Sequence, residues 1–291
     1  MHISDIDLNS IIQLVTQRTG IIPRASHREG IRSYVEKILS AKNYSVQKYL
    51  SSVMTDKALF TELVNESTVN ETYFFREEKQ FSLLRNRLFP MWKALNGSKT
   101  IKIWSAACSY GEEAYSLALL ARACGVNYSI IASDINSEVL EHCAKGTFLV
   151  SSIRQVDGVQ FKPLLTPYIK ADGKVVFPSE ITSTIATRKI NLSMIDSFEM
   201  DSLLPKNQDI IFLRNVFIYF NQDLRSRILH TIAQKCLADG GVLFVSMSEI
   251  AQLDSSIMPP SFKKEMDGSV FYFHKQTTEG GGIKSYGKNL C

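Results

Sequence analysis

Cysteine is sparse and unpatterned: Cys108, Cys124, Cys143, Cys236 and Cys291 are odd in number, widely spaced and include no CxxC pair. This excludes a disulfide framework and offers no zinc-ligand spacing, so the thiols read as reduced and no metal is expected. Long apolar runs are also missing. No segment approaches the roughly 20 apolar residues of a membrane span, and the opening MHISDIDLNS carries two acidic residues and no signal-type apolar core. The expectation is a cytoplasmic protein without membrane insertion. A strong charge of one sign is lacking too: 33 Lys+Arg against 29 Asp+Glu leave +4, too little to argue for nucleic acid as a partner. No internal repeat is visible. What remains, 45% hydrophobic and 21% charged residues over 291 positions, describes a folded chain with one large domain or a main domain and a smaller companion.

The stretch from about residue 3 to residue 95 reads as helical throughout, broken mainly at Gly20, Pro23 and Pro90. Apolar residues recur at helical spacing at Ile11, Leu14 and Val15, at Ile31, Tyr34, Val35 and Ile38, and at Leu59, Leu63 and Val64. An all-helical N-terminal domain over residues 1–75 is predicted. From Thr100 strands and helices alternate: IKIWSAA, GEEAYSLALLARACG, YSIIASD, SEVLEHCAKG, then QDIIFLRN, DLRSRILHTIAQKCLADGG, VLFVSMS and SVFYFHK. Such alternation predicts an α/β fold with a doubly wound sheet over residues 76–277. Between about 161 and 190, prolines and the Asp172-Gly173 pair interrupt the rhythm, and KVVF and EITSTIA predict an inserted hairpin around a DG turn. The Gly-rich polar end predicts a flexible tail over residues 278–291.

The turn after the first strand, from Ala106 to Glu113, lies where a doubly wound sheet binds ligands. It has one glycine where a dinucleotide fingerprint needs three, and no Gly-Lys-Ser/Thr follows. Glu112 and Glu113 at the helix start would repel phosphate and favour a cationic ligand such as S-adenosylmethionine; equally, they could simply complement the helix dipole. Asp134 ends the second strand about 20 residues further on, the usual place for a ribose-binding carboxylate, and it could also serve the N-cap of the next helix. Arg214 and Asn215 close the strand DIIFL, either on the ligand edge of the sheet or where a strand runs out into solvent. The run Tyr73-Phe74-Phe75-Arg76 fits neither helical nor strand alternation and reads as a loop laying aromatics and an arginine over a pocket.

Together, NETYFFR, AACSYGEEAYS, IIASDINSEVLEHCAKGTF and DIIFLRNVFIYF resemble, in order and spacing, the motifs of the CheR-type chemoreceptor glutamate methyltransferases, over about residues 8–275. The resemblance implies a helical N-terminal domain, an S-adenosylmethionine-dependent methyltransferase domain and a small inserted antiparallel β-subdomain. It implies that Asn70, Thr72 and Arg76 line the cofactor site, that Glu113 faces the methionine end and Asp134 the ribose, and that Asn191 and Leu192 sit near the adenine. Arg214 and Asn215 would complete the pocket, and Tyr219 with Arg76 would flank the transferred methyl group.

The family's reaction esterifies glutamate side chains on the cytoplasmic domain of methyl-accepting receptors and leaves S-adenosylhomocysteine. A glutamate, with a pKa of about 4.3, arrives ionised at neutral pH and needs no general base. The sequence departs from the family in places. The stretch from His27 to Lys37 mixes charge signs where receptor-docking helices are dense in Arg and Lys. The short loop at Ala171-Asp172-Gly173 implies no grip on a receptor's terminal pentapeptide. Ala114 replaces a frequent proline, and Ser246-Met247 replaces the usual Gly-His before Ser248-Glu249. Two alternatives stay open: methylation of a different signalling protein or a small molecule, and a non-catalytic S-adenosylmethionine-binding scaffold. The Arg214-Asn215-Val216-Phe217 run lacks the Asn/Asp-Pro-Pro-aromatic motif of base-amine methylation.

Overall fold

A computed structural model describes residues 2–253 and 255–277; the tail expected over residues 278–291 lies outside the described residues. Four helices come first: α1 (Asp5–Thr19), α2 (Arg28–Lys42), α3 (Val46–Thr55) and α4 (Lys57–Ser67). Ser4, Ser45 and Asp56 accept first-turn N–H groups of α1, α3 and α4, and Gly20 closes α1 in the left-handed region at φ 68°. The apolar stripes of these helices meet in their own core, with Leu8, Ile11 and Val15 against Ile31, Val35, Tyr49 and Leu63.

The helical reading fails over residues 68–77, which are non-helical, in keeping with the loop read at Tyr73-Phe74-Phe75-Arg76. Here the backbone bonds outward: the Phe74 N–H donates to the Ser152 carbonyl at 2.9 Å and the Phe75 N–H to Ser116 Oγ at 2.9 Å. The expected aromatic surface is corrected as well. Phe74 and Phe75 are fully buried, Phe75 stacked on Phe161 at 4.6 Å between centroids, because these rings remove more apolar area from water as core anchors than as pocket walls. Helix resumes in α5 (Glu78–Leu83), passes through a π-helical stretch (Leu84–Leu88) and ends in α6 (Phe89–Asn96).

The second half builds the sheet. Its elements are β1 (Ile101–Ala106), α7 (Glu112–Ala123), β2 (Tyr128–Asp134), α8 (Ser137–Lys145), β3 (Thr147–Leu149), β4 (Lys174–Val176), β5 (Ile185–Lys189), β6 (Gln208–Leu213), α9 (Gln222–Thr231), β7 (Leu237–Phe244), β8 (Phe262–Asp267) and β9 (Val270–Lys275). Seven strands lie in the order β5-β2-β1-β6-β7-β9-β8. The first five are parallel, while β9 runs antiparallel to β7 and β8 antiparallel to β9. The order reverses between β1 and β6, so the crevice at their carboxyl ends is the topological switch point of a doubly wound sheet. Ile101, Ile103 and Trp104 of β1 and Ile210, Ile211, Phe212 and Leu213 of β6 are buried, as central parallel strands covered on both faces require.

The inserted hairpin is also corrected. KVV forms β4, but its partner is β3, antiparallel in the register Phe148↔Val175, and IATRK becomes β5, parallel to β2 at the edge of the main sheet. The DG turn does form, with Gly173 at φ 76°, but it returns the chain only to a bridge between Ile169 and Val175. Burial favours this outcome: Ile185 is buried in β5, beside β2, a contact that a local hairpin would forgo. Strand β8 went unpredicted because FKKEMD has no apolar alternation; it is an exposed edge strand guarded by charge.

At Gly111, φ is 105° and an added Cβ would lie 2.5 Å from Cys143 Sγ and 3.2 Å from Cys143 Cα. The turn that brings α7 down onto α8 therefore requires glycine. Gly111→Ala is expected to lower unfolding free energy by about 3 kcal/mol through overpacking and a strained φ; an unchanged denaturation midpoint would contradict this packing.

Candidate active site

A cleft of about 920 Å³, its open mouth included, lies over the carboxyl ends of β1, β2 and β6. Asn70, Thr72, Arg76, Glu113, Asp134, Asn191, Leu192, Arg214, Asn215 and Tyr219, all singled out from sequence, line it together. Six chain segments converge here: the end of α1, the non-helical stretch after α4, the turn between β1 and α7, the end of β2, the stretch after β5, and the end of β6.

The β1 turn is held by its neighbours' polar groups. The Cys108 N–H donates to the Ser133 carbonyl at 2.9 Å, the Ser109 N–H to Asp134 Oδ2 at 2.9 Å, and Ser109 Oγ to the Asn70 carbonyl at 3.1 Å. Ala107 and Ser109 adopt left-handed φ values of 60° and 51°, and Phe75, Glu77 and Asn215 do the same at 57°, 61° and 57°. Left-handed backbone costs a residue with a Cβ on the order of 1–2 kcal/mol, and these five cluster around one cleft.

Asp134 is buried, and its second oxygen accepts the Asn136 N–H at 3.0 Å. Helix α8 is capped by Asn136, which accepts from Glu138 and Val139, so Asp134 is relieved of the N-cap task and faces the cleft. Burial pushes its carboxyl above the ordinary value, with the backbone N–H groups of Asn136 and Ser109 pulling the other way.

The two glutamates of the α7 start part company, and the reading of both as attractors for a cation is corrected. Glu112 turns into the core, where Ser152 Oγ donates to it at 2.9 Å and burial raises its pKa. Glu113 lines the cleft, but its charge is paired: Oε2 lies 2.7 Å from Arg214 Nε, and Oε1 accepts from Ser105 Oγ at 2.6 Å. Arg214 is not a strand end running into solvent. Its buried guanidinium also donates from Nη1 to the Arg76 carbonyl at 2.7 Å and to Gln80 Oε1 at 3.1 Å, and it sits over the rings of Phe81 and Phe212. Most of the cleft's charge is thus matched: Arg76 and Arg214 stand against Glu71, Glu113 and Asp134, an excess of one acidic group.

Asn215 donates its N–H to Glu249 Oε2 at 2.8 Å, and the fully buried Glu249 also takes the Ile218 N–H at 3.3 Å. Asn191 places a backbone edge rather than its amide at the cleft: Oδ1 accepts from Ser193, and Nδ2 donates to the Arg18 carbonyl at 3.1 Å. Leu192 adds a buried apolar wall beside Ile135 and Ile190. At the mouth, Arg76 Nη1 donates to the Glu71 carbonyl at 2.7 Å. Tyr219 is half-buried there, its pKa raised by burial and opposed by the Arg24 and Arg76 guanidiniums. Sequence reasoning missed Thr19 and Ile21, which reach the cleft from the end of α1, and the supports Gln80 and Glu249. Gly20 and the Ser248-Glu249 pair were the available signals for the first and last; Gln80 carries none.

Among the described residues no cluster of His, Cys, Asp and Glu could hold a metal. The donor set fits an elongated molecule with hydroxyls at one end and paired charges at the other. Asp134 offers acceptor capacity, Ile135, Ile190 and Leu192 form an apolar wall, and Arg76 and Arg214 supply guanidinium charge beside Glu113. S-adenosylmethionine, a nucleoside joined to a zwitterionic amino acid, has those features.

The sequence matches the family profile described as "CheR methyltransferase, SAM binding domain" over residues 70–262. It is similar to a chemotaxis protein methyltransferase of Borreliella burgdorferi, 29% identical over 283 residues, covering 91% of this chain and 96% of the relative. It is also 31% identical to chemotaxis protein methyltransferase 1 of Vibrio cholerae, over 85% of this chain and 90% of that one. Among solved structures, magnesium protoporphyrin IX methyltransferase from Synechocystis with bound SAM covers 83% of this chain and 96% of its own at 10% identity and a TM-score of 0.37.

Asp134→Ala is expected to weaken S-adenosylhomocysteine binding by about 2–3 kcal/mol in calorimetry, through lost hydroxyl acceptors. Since burial raises the Asp134 pKa, wild-type affinity should already fall over the interval from neutral pH down to the ordinary carboxylate range. A flat profile over that interval would remove Asp134 from the ligand's contacts.

Proposed function

Because the chain belongs to the CheR methyltransferase family, we propose that it transfers the methyl group of S-adenosylmethionine to glutamate carboxylates on the cytoplasmic domain of a chemoreceptor or a related signalling protein. The product would be a γ-glutamyl methyl ester in chemotaxis-type adaptation. The supporting observation is the meeting, in one cleft at the switch point, of every residue that the family motifs pick out. In this reading residues 1–75 form the helical domain and residues 76–277 the methyltransferase domain, an arrangement supported by the separate core of α1–α4. The cellular site is cytoplasmic; no helix among the described residues is long and apolar enough to cross a membrane. No pentapeptide tether is part of the proposal.

When bound, the cofactor supplies an electrophilic methyl group on a sulfonium centre. Asp134 accepts ribose hydroxyls, and Leu192 with the Asn191 backbone borders the adenine. Arg214, locked by Glu113, and the Asn70–Arg76 stretch enclose the amino-acid end. The acceptor carboxylate is ionised at neutral pH, so the cleft needs no base, and no histidine among the described residues lines it. What remains is alignment and exclusion of water. Arg76 holds the spare carboxylate oxygen. Tyr219 stays a phenol, since burial raises its pKa, and its hydroxyl donates a hydrogen bond that orients the attacking group.

With radiolabelled cofactor, base-labile label should appear on a receptor cytoplasmic domain. Arg76→Ala should lower kcat/KM about 100-fold and Tyr219→Phe about 10-fold. Wild-type rates for both variants under saturating cofactor would refute these roles; label found only on other molecules would refute the acceptor.

A further inference from the structure

We propose that a row of alternating guanidinium and phenol groups across the cleft mouth, Arg24, Tyr219, Arg76, Tyr73 and Arg154, is the docking surface for an acidic helical face of the acceptor protein. The inference rests on the acceptor reading above and identifies two residues, Arg24 and Arg154, that lie outside the family motifs.

The row is continuous. The Arg24 guanidinium lies 5.5 Å from the centroid of the Tyr219 ring. Arg76 lies 5.5 Å and Arg154 5.2 Å from that of Tyr73. Arg76 and Tyr219 both line the cleft, which joins the two halves. Stacking on an aromatic face orients a guanidinium without neutralising it. Arg24 and Arg154 are exposed, and neither forms an ion pair with a carboxylate among the described residues.

Both outer arginines stand on anchored supports. The Ile22 N–H donates to the Tyr219 carbonyl at 3.2 Å, fixing the segment that carries Arg24. Tyr73 donates its hydroxyl to Asp157 Oδ2 at 3.0 Å, and Asp157 also takes the N–H groups of Glu77 and Glu78, which ties the loop carrying Arg154 to the Arg76 segment. Asp157, Glu249 and Glu71 stand as counter-charges near the row, the first two held by backbone N–H groups.

On helix α2, Arg32 is paired with Asp5 at 2.5 Å and Glu29 at 3.1 Å, and Arg28 donates to Asn9 at 2.6 Å, while Lys37 and Lys42 are exposed and form no ion pair among the described residues. The arginines of the row differ from these in standing beside the cleft. A helix displays residues three, four and seven apart on one face, spaced about 5–10 Å. An acceptor glutamate at Arg76 and Tyr219 would place neighbouring carboxylates over Arg24 and Arg154.

The test is steady-state methyl transfer by the full chain to a receptor cytoplasmic domain. Arg24→Ala and Arg154→Ala should each raise the receptor KM about 3–10-fold. Both should keep kcat and S-adenosylhomocysteine affinity within about twofold, and kcat/KM of the double variant should depend less on salt. Arg24→Lys and Arg154→Lys should recover most of the loss. A wild-type KM in the double variant, or a parallel loss of cofactor affinity, would overturn the docking row alone. A wild-type protein that binds cofactor but leaves the receptor unlabelled would overturn the acceptor reading and the row with it.

Discussion

The Arg214 guanidinium is buried at the end of a central strand, where an unpaired charge would be costly. Its side-chain partners are Glu113 at 2.7 Å, Gln80 at 3.1 Å and, more distantly, Glu77 at 3.9 Å, and it also binds the backbone carbonyl of Arg76 at 2.7 Å. These partners come from two distant parts of the chain, so one desolvated cation fixes the start of α7, the Arg76–Gln80 stretch and the end of β6 in a single geometry. Removing one member of such a buried pair typically costs about 3–5 kcal/mol, because the survivor stays charged and unsolvated. The faces of Phe81 and Phe212 complete the enclosure at 5.5 and 5.3 Å.

This pairing changes the electrostatic picture of the cleft. A rim of free acidic groups would attract any cation, whereas a rim whose carboxylate is already matched by a guanidinium suits a ligand carrying both signs. The left-handed backbone at Ala107, Ser109 and Asn215 belongs to the same economy of position: it points N–H groups at Asp134 and Glu249 and lets the turn approach the cleft without a second glycine. Within that turn, Gly111 takes the conformation that a Cβ would forbid.

The central sheet was legible because parallel strands covered on both faces must be nearly continuous apolar runs, as IKIW and IIFL are. The helices of the N-terminal bundle were legible from their stripes, and the loop at Tyr73–Arg76 from its lack of one; the packing of that loop was not, because Phe74 and Phe75 answer to Phe148 and Phe161, far along the chain. The DG turn misled in the same way. It marks a local reversal correctly, yet which strand β4 meets is decided by burial around Phe148 and Val175. Positions of the cleft residues could be read from motifs at the ends of strands. The pairing of Glu113 with Arg214, 101 residues apart, and the arrival of Thr19 and Ile21 from the first helix could not, since no local pattern encodes either.

A double-mutant cycle on Arg214 and Glu113, read as S-adenosylhomocysteine affinity by calorimetry, tests the role of this pair directly. The Arg214→Met, Glu113→Gln and combined variants should show a coupling of at least about 2 kcal/mol, the double variant losing far less than the sum of the singles. Losses that simply add would contradict the claim that the pair acts as one unit in shaping the cleft.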